Sequence, residues 1–482
     1  MTASAASTLV PSGAMPRRLA AVATVLALAL AGALALNVWT GLAVLALGLV
    51  LIARPLDPFT ALLLAAGVAV FAEYGDPRIQ RDLAVVLALT SYALLTLVAA
   101  HASRRWSLPL SRLTTAFLVF GATTVVAAVN GLARGNAVRF LSLEVFALLV
   151  LFLALAVGGL RLRARDLRIA EWTLVAVGVA NAGIGFFLFA TTGTRMQGLP
   201  FSPVPGLVAL VVLALALFDP APRPRAGSVL LFCLLVFHQI LTFTRGFWLG
   251  LLVCVPLTCA VYVFARRGTG RPWAKILRTL ALVGVVLVLG LALASSWLGL
   301  SETVGMLGGR LASSFETRNT PETVSNIVRL VELRTSLIHI LQSPWVGHGH
   351  GSTLVVRQFF FPRTGPQWYV HQSYVMLWLK QGLLGLLAFL WLLYVALRLG
   401  LKGASQADPQ LAGWCAASAV ATVFTMIIGL TNYYYFMVTL NFLLALLWGI
   451  SLGASDPARV RLAWRSAAPV RCPDAGTAGA GA

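Results

Sequence analysis

Side chains suited to acid–base chemistry and anion binding gather in the second half of the chain. Four of the six histidines fall within residues 298–372, namely His339, His348, His350 and His371. Arg245 and Arg329 stand in the same half, in "HQILTFTRGFWLG" and "NIVRLVELRTSLIHILQ". Histidine takes up a proton near neutral pH, and arginine binds phosphate through two parallel hydrogen bonds. These residue types together predict transfer chemistry on a phosphate-activated substrate.

The same segment does not have the spacing of a metal site. His348 and His350 are two residues apart rather than four, and the sequence contains no DxD motif. The five cysteines form no CxxC pair, and all but Cys472 lie inside apolar runs. This pattern disfavours zinc and a disulfide framework. The sequence therefore predicts no metal and no cofactor.

The composition indicates a membrane protein. Of 482 residues, 59% are hydrophobic and 11% are charged, whereas soluble domains carry about 25% charged residues. The net charge of +21 could indicate a nucleic-acid ligand. In so apolar a chain, most of the excess is better explained by the orientation of membrane helices. We therefore expect membrane lipid around the protein and no nucleic-acid partner.

The apolar runs predict the fold class. A membrane-spanning helix needs about 20 apolar residues. The sequence thus predicts an all-α polytopic membrane bundle of 12–14 transmembrane helices, with fourteen preferred. The candidate spans are 19–36, 38–53, 59–72, 83–100, 113–130, 140–159, 170–190, 204–218, 227–244, 246–265, 276–297, 373–397, 411–430 and 434–453.

The distribution of cations predicts the orientation. When the N-terminus is placed in the cytoplasm, most arginines and lysines of the short loops fall on the cytoplasmic side. Both termini are then cytoplasmic. The expected divisions are an N-terminal bundle of about eleven spans (1–297), a large periplasmic loop (298–372), C-terminal helices (373–454) and a disordered cytoplasmic tail (455–482).

The large loop contains the signals of an amphipathic helix. Thr320 can cap the helix, Pro321 suits its first position and Glu322 suits its positive end. These signals predict a helix over 321–342 that lies on the outer, membrane-facing surface. Its polar face would carry Ser325, Arg329, Glu332, Ser336 and His339.

One acidic residue stands inside a predicted span. Glu144 lies about one turn below the outer surface, close in sequence to Arg134 and Arg139. We expect an ion pair with one of these arginines, and a proton relay is the weaker interpretation.

Four stretches, in order, resemble the O-antigen ligase / O-antigen polymerase superfamily of bacterial membrane glycosyltransferases. They are "TRMQGLPFSPVPGLVAL", "FTRGFWLG", "NIVRLVELRTSLIHILQSPWVGHGHGS" and "HQSYVMLWLKQGLLGLLAFL". Within them, Val204, Thr244, Leu333 and Gln372 depart from the usual Asn, Ser, Trp and Asn. The resemblance covers about residues 190–400 and the many-helix frame.

The resemblance implies an inverting, metal-independent transfer at the periplasmic face of the inner membrane. The donor would be a glycan on undecaprenyl pyrophosphate. The acceptor would be a hydroxyl of lipid A–core in a ligase, or of another lipid-linked glycan in a polymerase. Arg245 and Arg329 would bind the pyrophosphate, and His371 would be the general base or would orient the acceptor. The resemblance also implies a second group of substrate-binding candidates, namely Arg195, Arg334, His348, His350 and Tyr374.

The sequence is compatible with several alternatives. An O-antigen or exopolysaccharide polymerase and a protein-glycosylating enzyme share these motifs, and a lipid-linked oligosaccharide flippase is a non-enzymatic possibility. The base could be an acidic residue of "EYGDPRIQRD". Arg245 could be an interfacial anchor, Arg329 could pair with Glu332 at i+3, and His348 and His350 could only shape their turn.

Overall fold

A computed structural model describes residues 107–160, 162–192, 203–221, 225–242, 244–267, 272–297, 321–355 and 366–455. The four spans predicted before residue 101, the tail beyond 455 and the candidate Arg195 lie outside these ranges.

The described residues form a helical bundle with one very small sheet. The elements in chain order are α1 (Arg112–Ala133), α2 (Val138–Leu149), a 3-10 turn (Val150–Phe152), α3 (Leu153–Gly159), α4 (Ala164–Thr192), α5 (Pro203–Phe218), α6 (Ala226–Leu241), α7 (Arg245–Ala265), α8 (Pro272–Trp297), α9 (Pro321–Gln342), β1 (Leu354–Val355), β2 (Pro366–Gln367), α10 (Ser373–Gly403), α11 (Pro409–Gly429), a second 3-10 turn (Tyr434–Phe436) and α12 (Val438–Ala454).

These helices confirm the all-α membrane architecture. Seven helical segments of the described part are long and apolar enough to cross a membrane, and three shorter apolar helices accompany them. Each of the ten spans predicted after residue 107 corresponds to one of these ten segments. The span 140–159 is built from α2, the first 3-10 turn and α3.

The centre of the bundle is formed by its C-terminal helices. Every residue of α12 except Val438 is buried, and α12 packs closely on α3. Gly449 permits this approach, because an added Cβ would lie 2.5 Å from the Val157 side chain and 2.8 Å from the Ala154 carbonyl. The Trp448 indole Nε1 donates to Thr422 Oγ1 of α11 at 2.8 Å. A buried indole N–H is thereby satisfied.

Helix α10 is broken inside its span. Gly382 has a φ of +71° and divides the helix, and the chain between α9 and β1 enters the gap. Gly382 lies nine residues after Ser373, the first residue of α10, which is about 14 Å along the helix axis. The re-entrant segment (343–352) therefore reaches about this far from the start of the helix. Backbone groups freed by the break form hydrogen bonds with this segment. The N–H groups of His348 and Gly349 donate to the carbonyls of Leu379 and Lys380 at 2.8 and 3.0 Å, and the N–H of Leu383 donates to the carbonyl of Pro344 at 2.8 Å.

The glycines of the re-entrant segment allow its tight turns. Gly347, Gly349 and Gly351 all have φ between +72° and +80°, which is left-handed backbone that other residues rarely adopt. Irregular backbone is tolerated at membrane depth only where protein surrounds and satisfies it. The break in α10 and the turn at 347–351 satisfy each other in this way.

We predict that Gly382→Ala destabilises the protein by at least about 1–2 kcal/mol, which is the cost of left-handed backbone for a residue with a Cβ. The new Cβ would also overlap the Trp345 carbonyl oxygen. Thermal unfolding of the detergent-solubilised protein measures this effect. The matched control is Gly284→Ala in α8, where nothing lies within 4 Å. An equal melting temperature for both variants would contradict the account of the break.

Helix α9 matches the predicted range 321–342, and its polar and apolar faces differ in burial. Glu332 and Ser336 of the polar face are buried at 1% and 0% exposure, while Leu330 and Leu341 of the apolar face are exposed at 63% and 77%. The polar face therefore points into the protein. The apolar face is the outer one, as expected for a helix that lies against lipid.

Candidate active site

A histidine and a glutamate form a close pair at the start of α10. His371 Nδ1 lies 2.6 Å from Glu332 Oε2. The His371 side chain is 28% exposed, whereas that of Glu332 is 1% exposed. A carboxylate only accepts hydrogen bonds, so Nδ1 carries the proton and donates it. The other ring nitrogen, Nε2, is left without that proton and can accept one.

The second oxygen of Glu332 is also held. Gln367 Nε2 donates to Glu332 Oε1 at 2.8 Å, and Gln367 is fixed by the antiparallel pairing of β2 with Leu354 of β1. Burial alone would raise the pKa of Glu332. The hydrogen bonds and charge of His371, together with the hydrogen bond from Gln367, outweigh burial and lower that pKa below its ordinary value. Glu332 is therefore an ionised, fixed partner for the imidazole.

A short hairpin between α11 and α12 links this pair to Arg245. Ser373 Oγ, two residues after His371, donates to Asn432 O at 2.7 Å. On the same hairpin, Thr431 lies so close to Gly246 that an added Cβ would overlap it. Arg245 begins α7 immediately before that glycine. The hairpin thus places the N-terminal ends of α7 and α10 at one corner of the bundle.

The two arginines of α9 lie on different sides of the helix. Successive residues turn by about 100° and rise by about 1.5 Å. Arg329 is therefore about 60° from Glu332 and roughly one turn away, whereas Arg334 is about 200° away, on the side of Leu330 and Leu341. Both side chains are exposed. Only Arg329 shares the face that carries the carboxylate.

His348 lies toward the far end of α9. His348 Nε2 is 2.7 Å from His339 O, and its Nδ1 is 3.2 Å from Arg134 Nη1. The carbonyl can only accept and the guanidinium can only donate, so these contacts fit a neutral ring protonated on Nε2. Ser343, which also contacts Arg134, is about 16 Å along the helix from Glu332. His348 therefore belongs to a separate cluster with Arg134.

His350 is buried within the bundle. His350 Nδ1 lies 2.9 Å from Glu144 Oε2, and its Nε2 lies 3.1 Å from Gln381 Nε2. The second carboxylate oxygen of Glu144 lies 2.8 Å from Lys380 Nζ. Both ring nitrogens of His350 thus have partners in the protein. The expected pairing of Glu144 with a nearby arginine is wrong, because the carboxylate binds a lysine of α10 and a histidine of the re-entrant segment.

Tyr374 is also bonded within the scaffold. Its hydroxyl donates to Met426 O at 2.9 Å, and its ring meets that of Tyr435 edge-on. Of the sequence candidates, the structure thus joins His371 to a carboxylate and ties the start of α7 to the same corner. Arg334, His348, His350 and Tyr374 point elsewhere or have their polar groups engaged within the protein.

The family comparison reaches the same part of the chain. The sequence model of a family described as "O-Antigen ligase" matches residues 226–390. This stretch is similar to the O-antigen ligase family. The match confirms the resemblance to the O-antigen ligase / polymerase superfamily, and no curated protein matches the chain.

The O-antigen ligase domain runs from the start of α6 into α10. It contains Arg245, Glu332 and His371. At the level of the family, the match supports a membrane glycosyltransferase of the O-antigen ligase/polymerase type, and the apolar helices are consistent with a multi-pass membrane protein. The hairpin at 430–437 and the Glu144 helix lie outside the matched residues, although both contribute contacts to the O-antigen ligase domain.

Sequence reasoning missed Glu332 and Gln367 as parts of the site. Helical periodicity puts Glu332 on the polar face, where the sequence suggests only a pairing with Arg329. It is the one acidic residue among the five polar-face positions, which is a signal that could have singled it out. Gln367 carries no comparable signal, because its role depends on the pairing of two-residue strands within the O-antigen ligase domain.

Proposed function

We propose that this protein is an O-antigen ligase-type glycosyltransferase that transfers a glycan from undecaprenyl pyrophosphate to a hydroxyl of lipid A–core. One observation carries the proposal: the partly exposed His371 donates through Nδ1 to the buried carboxylate of Glu332 at 2.6 Å. This arrangement gives a histidine one fixed tautomer and an accepting nitrogen directed away from the carboxylate.

The pair supports the following proton transfer. The acceptor hydroxyl bonds to His371 Nε2, and its oxygen attacks the anomeric carbon of the donor as the proton passes to Nε2. The bond between that carbon and the pyrophosphate oxygen breaks, so the configuration inverts. Glu332 does not take the proton. It holds the ring in place and stabilises the imidazolium that forms.

The arginines are assigned to the leaving group. Negative charge develops on the pyrophosphate oxygen as the glycosidic bond breaks, and cations already in position stabilise that charge. Arg329 lies roughly one turn from Glu332 on α9, and Arg245 begins α7 at the same corner.

The proposed setting is the periplasmic face of the inner membrane, with both termini in the cytoplasm. Starting from α1, alternate crossings put the start of α7, the start of α10 and the hairpin 430–437 at the same end of the bundle as α9. The outward apolar face of α9 supports contact with lipid at this end. A donor anchored in the outer leaflet would present its pyrophosphate at this level.

The two arginines of α9 provide a matched test of the leaving-group assignment. Arg329→Ala should lower kcat/KM for the lipid-linked donor by about 10²-fold, the size expected for loss of one charge-stabilising donor. Arg334→Ala should lower it by no more than about threefold, because Arg334 lies on the opposite side of the helix. Initial rates with purified protein measure both. Equal losses would contradict the assignment.

A gene deletion separates ligase from polymerase. Loss of capped lipid A–core, with long polymer still present on undecaprenyl pyrophosphate, supports the ligase. Retained capping by single repeats, with loss of chain length, would instead identify an O-antigen polymerase. Gel electrophoresis of lipopolysaccharide and analysis of the lipid-linked pool distinguish the two outcomes.

A further inference from the structure

Four aromatic rings from three separate segments meet beside His371. Phe140 of α2 stacks on Trp368 with ring centroids 5.8 Å apart and planes at 13°. Trp368 meets Tyr369 at 5.5 Å and Tyr433 of the hairpin at 5.7 Å, both edge-on. Tyr369 and Tyr433 are 4.8 Å apart, and Tyr369 lies 5.4 Å from the His371 ring. We call Phe140, Trp368, Tyr369 and Tyr433 the aromatic wall.

The aromatic wall is only partly buried, whereas the two tyrosines that follow Tyr433 lie in the core. Tyr434 and Tyr435, which follow Tyr433, are 3% and 1% exposed. All four members of the aromatic wall are only partly buried, as is His371. The hairpin therefore turns one tyrosine of three toward the catalytic corner. A continuous aromatic surface leads from Phe140 to the imidazole.

Polar groups border this surface. Gln367, immediately before Trp368, bonds to Glu332. Arg139, immediately before Phe140, is exposed. Ligand sites commonly combine aromatic walls with a few fixed polar groups that orient the ligand. An aromatic surface bordered only by apolar side chains would instead suit lipid tails.

We propose that the aromatic wall binds the acceptor, with one pyranose ring of the acceptor saccharide lying against Tyr369 and Tyr433. This inference rests on the proposed function. The faces of a pyranose are C–H groups with partial positive charge, which complement the negative face of an aromatic ring. Its hydroxyls lie around the edge, where His371 and the bordering polar groups can reach them.

The position of the aromatic wall beside His371 indicates that it binds the acceptor rather than the donor sugar. A general base must lie about 2.6–3.2 Å from the oxygen whose proton it removes. That oxygen belongs to the acceptor, so the acceptor ring must lie within one ring width of His371. The Tyr369 ring, 5.4 Å from the imidazole, is at that distance. The donor pyrophosphate is assigned to Arg329 and Arg245.

Steady-state transfer with separately varied substrates tests this inference. The substrates are an undecaprenyl-pyrophosphate glycan and lipid A–core purified from a strain that lacks this gene. Tyr433→Leu and Tyr369→Leu should each raise KM for lipid A–core about three- to tenfold, the equivalent of one lost aromatic contact. KM for the donor should change by less than about twofold. Tyr433→Phe, which keeps the ring, should recover most of the affinity lost in Tyr433→Leu.

A tyrosine distant from the site is the control for a general effect of removing a tyrosine from the membrane interface. Tyr394 of α10 is 53% exposed, and its ring faces Arg398 toward the other end of the helix. Tyr394→Leu should leave both KM values unchanged. The inference is overturned if the wall variants keep the acceptor KM of the parent protein, or if they raise both KM values equally. The aromatic wall would then be a membrane-interface belt.

The outcomes also separate this inference from the proposed function. If His371→Ala is inactive and the wall variants behave like the parent protein, the acceptor subsite is wrong and the catalytic pair stands. If lipid A–core is not an acceptor, the ligase assignment fails. The same KM comparison with an undecaprenyl-linked repeat as acceptor then decides whether the wall binds saccharide.

Discussion

His371→Ala is expected to lower the rate constant of glycan transfer by about 10²–10⁴-fold, which is the usual contribution of one positioned general base. The expectation follows from the accepting Nε2 that Glu332 leaves on the imidazole. KM for the donor should change little, because the arginines rather than His371 are assigned to the pyrophosphate. His339→Ala, on the same face of α9 as Glu332, is the matched control and should stay within about twofold of the parent protein.

Glu332→Gln should reproduce much of this loss without removing the histidine. The amide can present an N–H to Nδ1, which would favour the wrong tautomer, and it cannot stabilise the imidazolium by charge. Because the two residues act as one unit, the double variant should be little worse than His371→Ala alone. Fully additive losses would mean that Glu332 acts independently of His371.

Lys380→Met is expected to destabilise the protein by about 3–5 kcal/mol, the cost of leaving one partner of a buried ion pair without its counter-charge. Lys380 and Glu144 are both 0% exposed and lie 2.8 Å apart. Lys380 Nζ also donates to the Ser352 carbonyl, so the lysine holds the re-entrant segment as well.

The control for this prediction is the double variant Glu144→Gln/Lys380→Met. It removes both charges, and the amide oxygen that replaces the carboxylate can still accept from His350 Nδ1. The double variant should therefore recover a large part of the lost stability, since a neutral replacement of a buried pair is often tolerated. Thermal unfolding in detergent compares the variants. A double variant no more stable than Lys380→Met would show that packing, rather than charge, dominates at this position.

Local signals in the sequence were sufficient for the elements themselves. Apolar run lengths predicted the ten spans of the described part, and Thr320, Pro321 and Glu322 predicted the start of the helix found at Pro321–Gln342. These signals work because capping, proline placement and apolar length each act within a few residues.

Features that depend on distant contacts were not predictable in the same way. "WLKQGLLG" forms part of an unbroken apolar span, and Gly382 breaks it only because the re-entrant segment supplies replacement hydrogen bonds. The pairing of Glu144 with Lys380 joins helices that are far apart in sequence, so sequence proximity pointed wrongly to arginines.

The site was predictable in its residue types and not in its geometry. The residue types and the family resemblance selected His371, Arg245 and Arg329 as candidates. The partner of His371 lies 39 residues before it, and the aromatic wall draws on α2, the chain after β2 and the hairpin. Such arrangements arise from how the helices pack, which periodicity does not encode.

Glycan transfer by the purified full-length protein in proteoliposomes tests the central claim most directly. The donor is a defined undecaprenyl-pyrophosphate glycan, the acceptor is lipid A–core, and the variants are His371→Ala, Arg245→Ala and Arg329→Ala. We expect a capped product and released undecaprenyl pyrophosphate with the parent protein, and at least about a hundredfold loss of rate in each variant. Full rates in all three variants would contradict it.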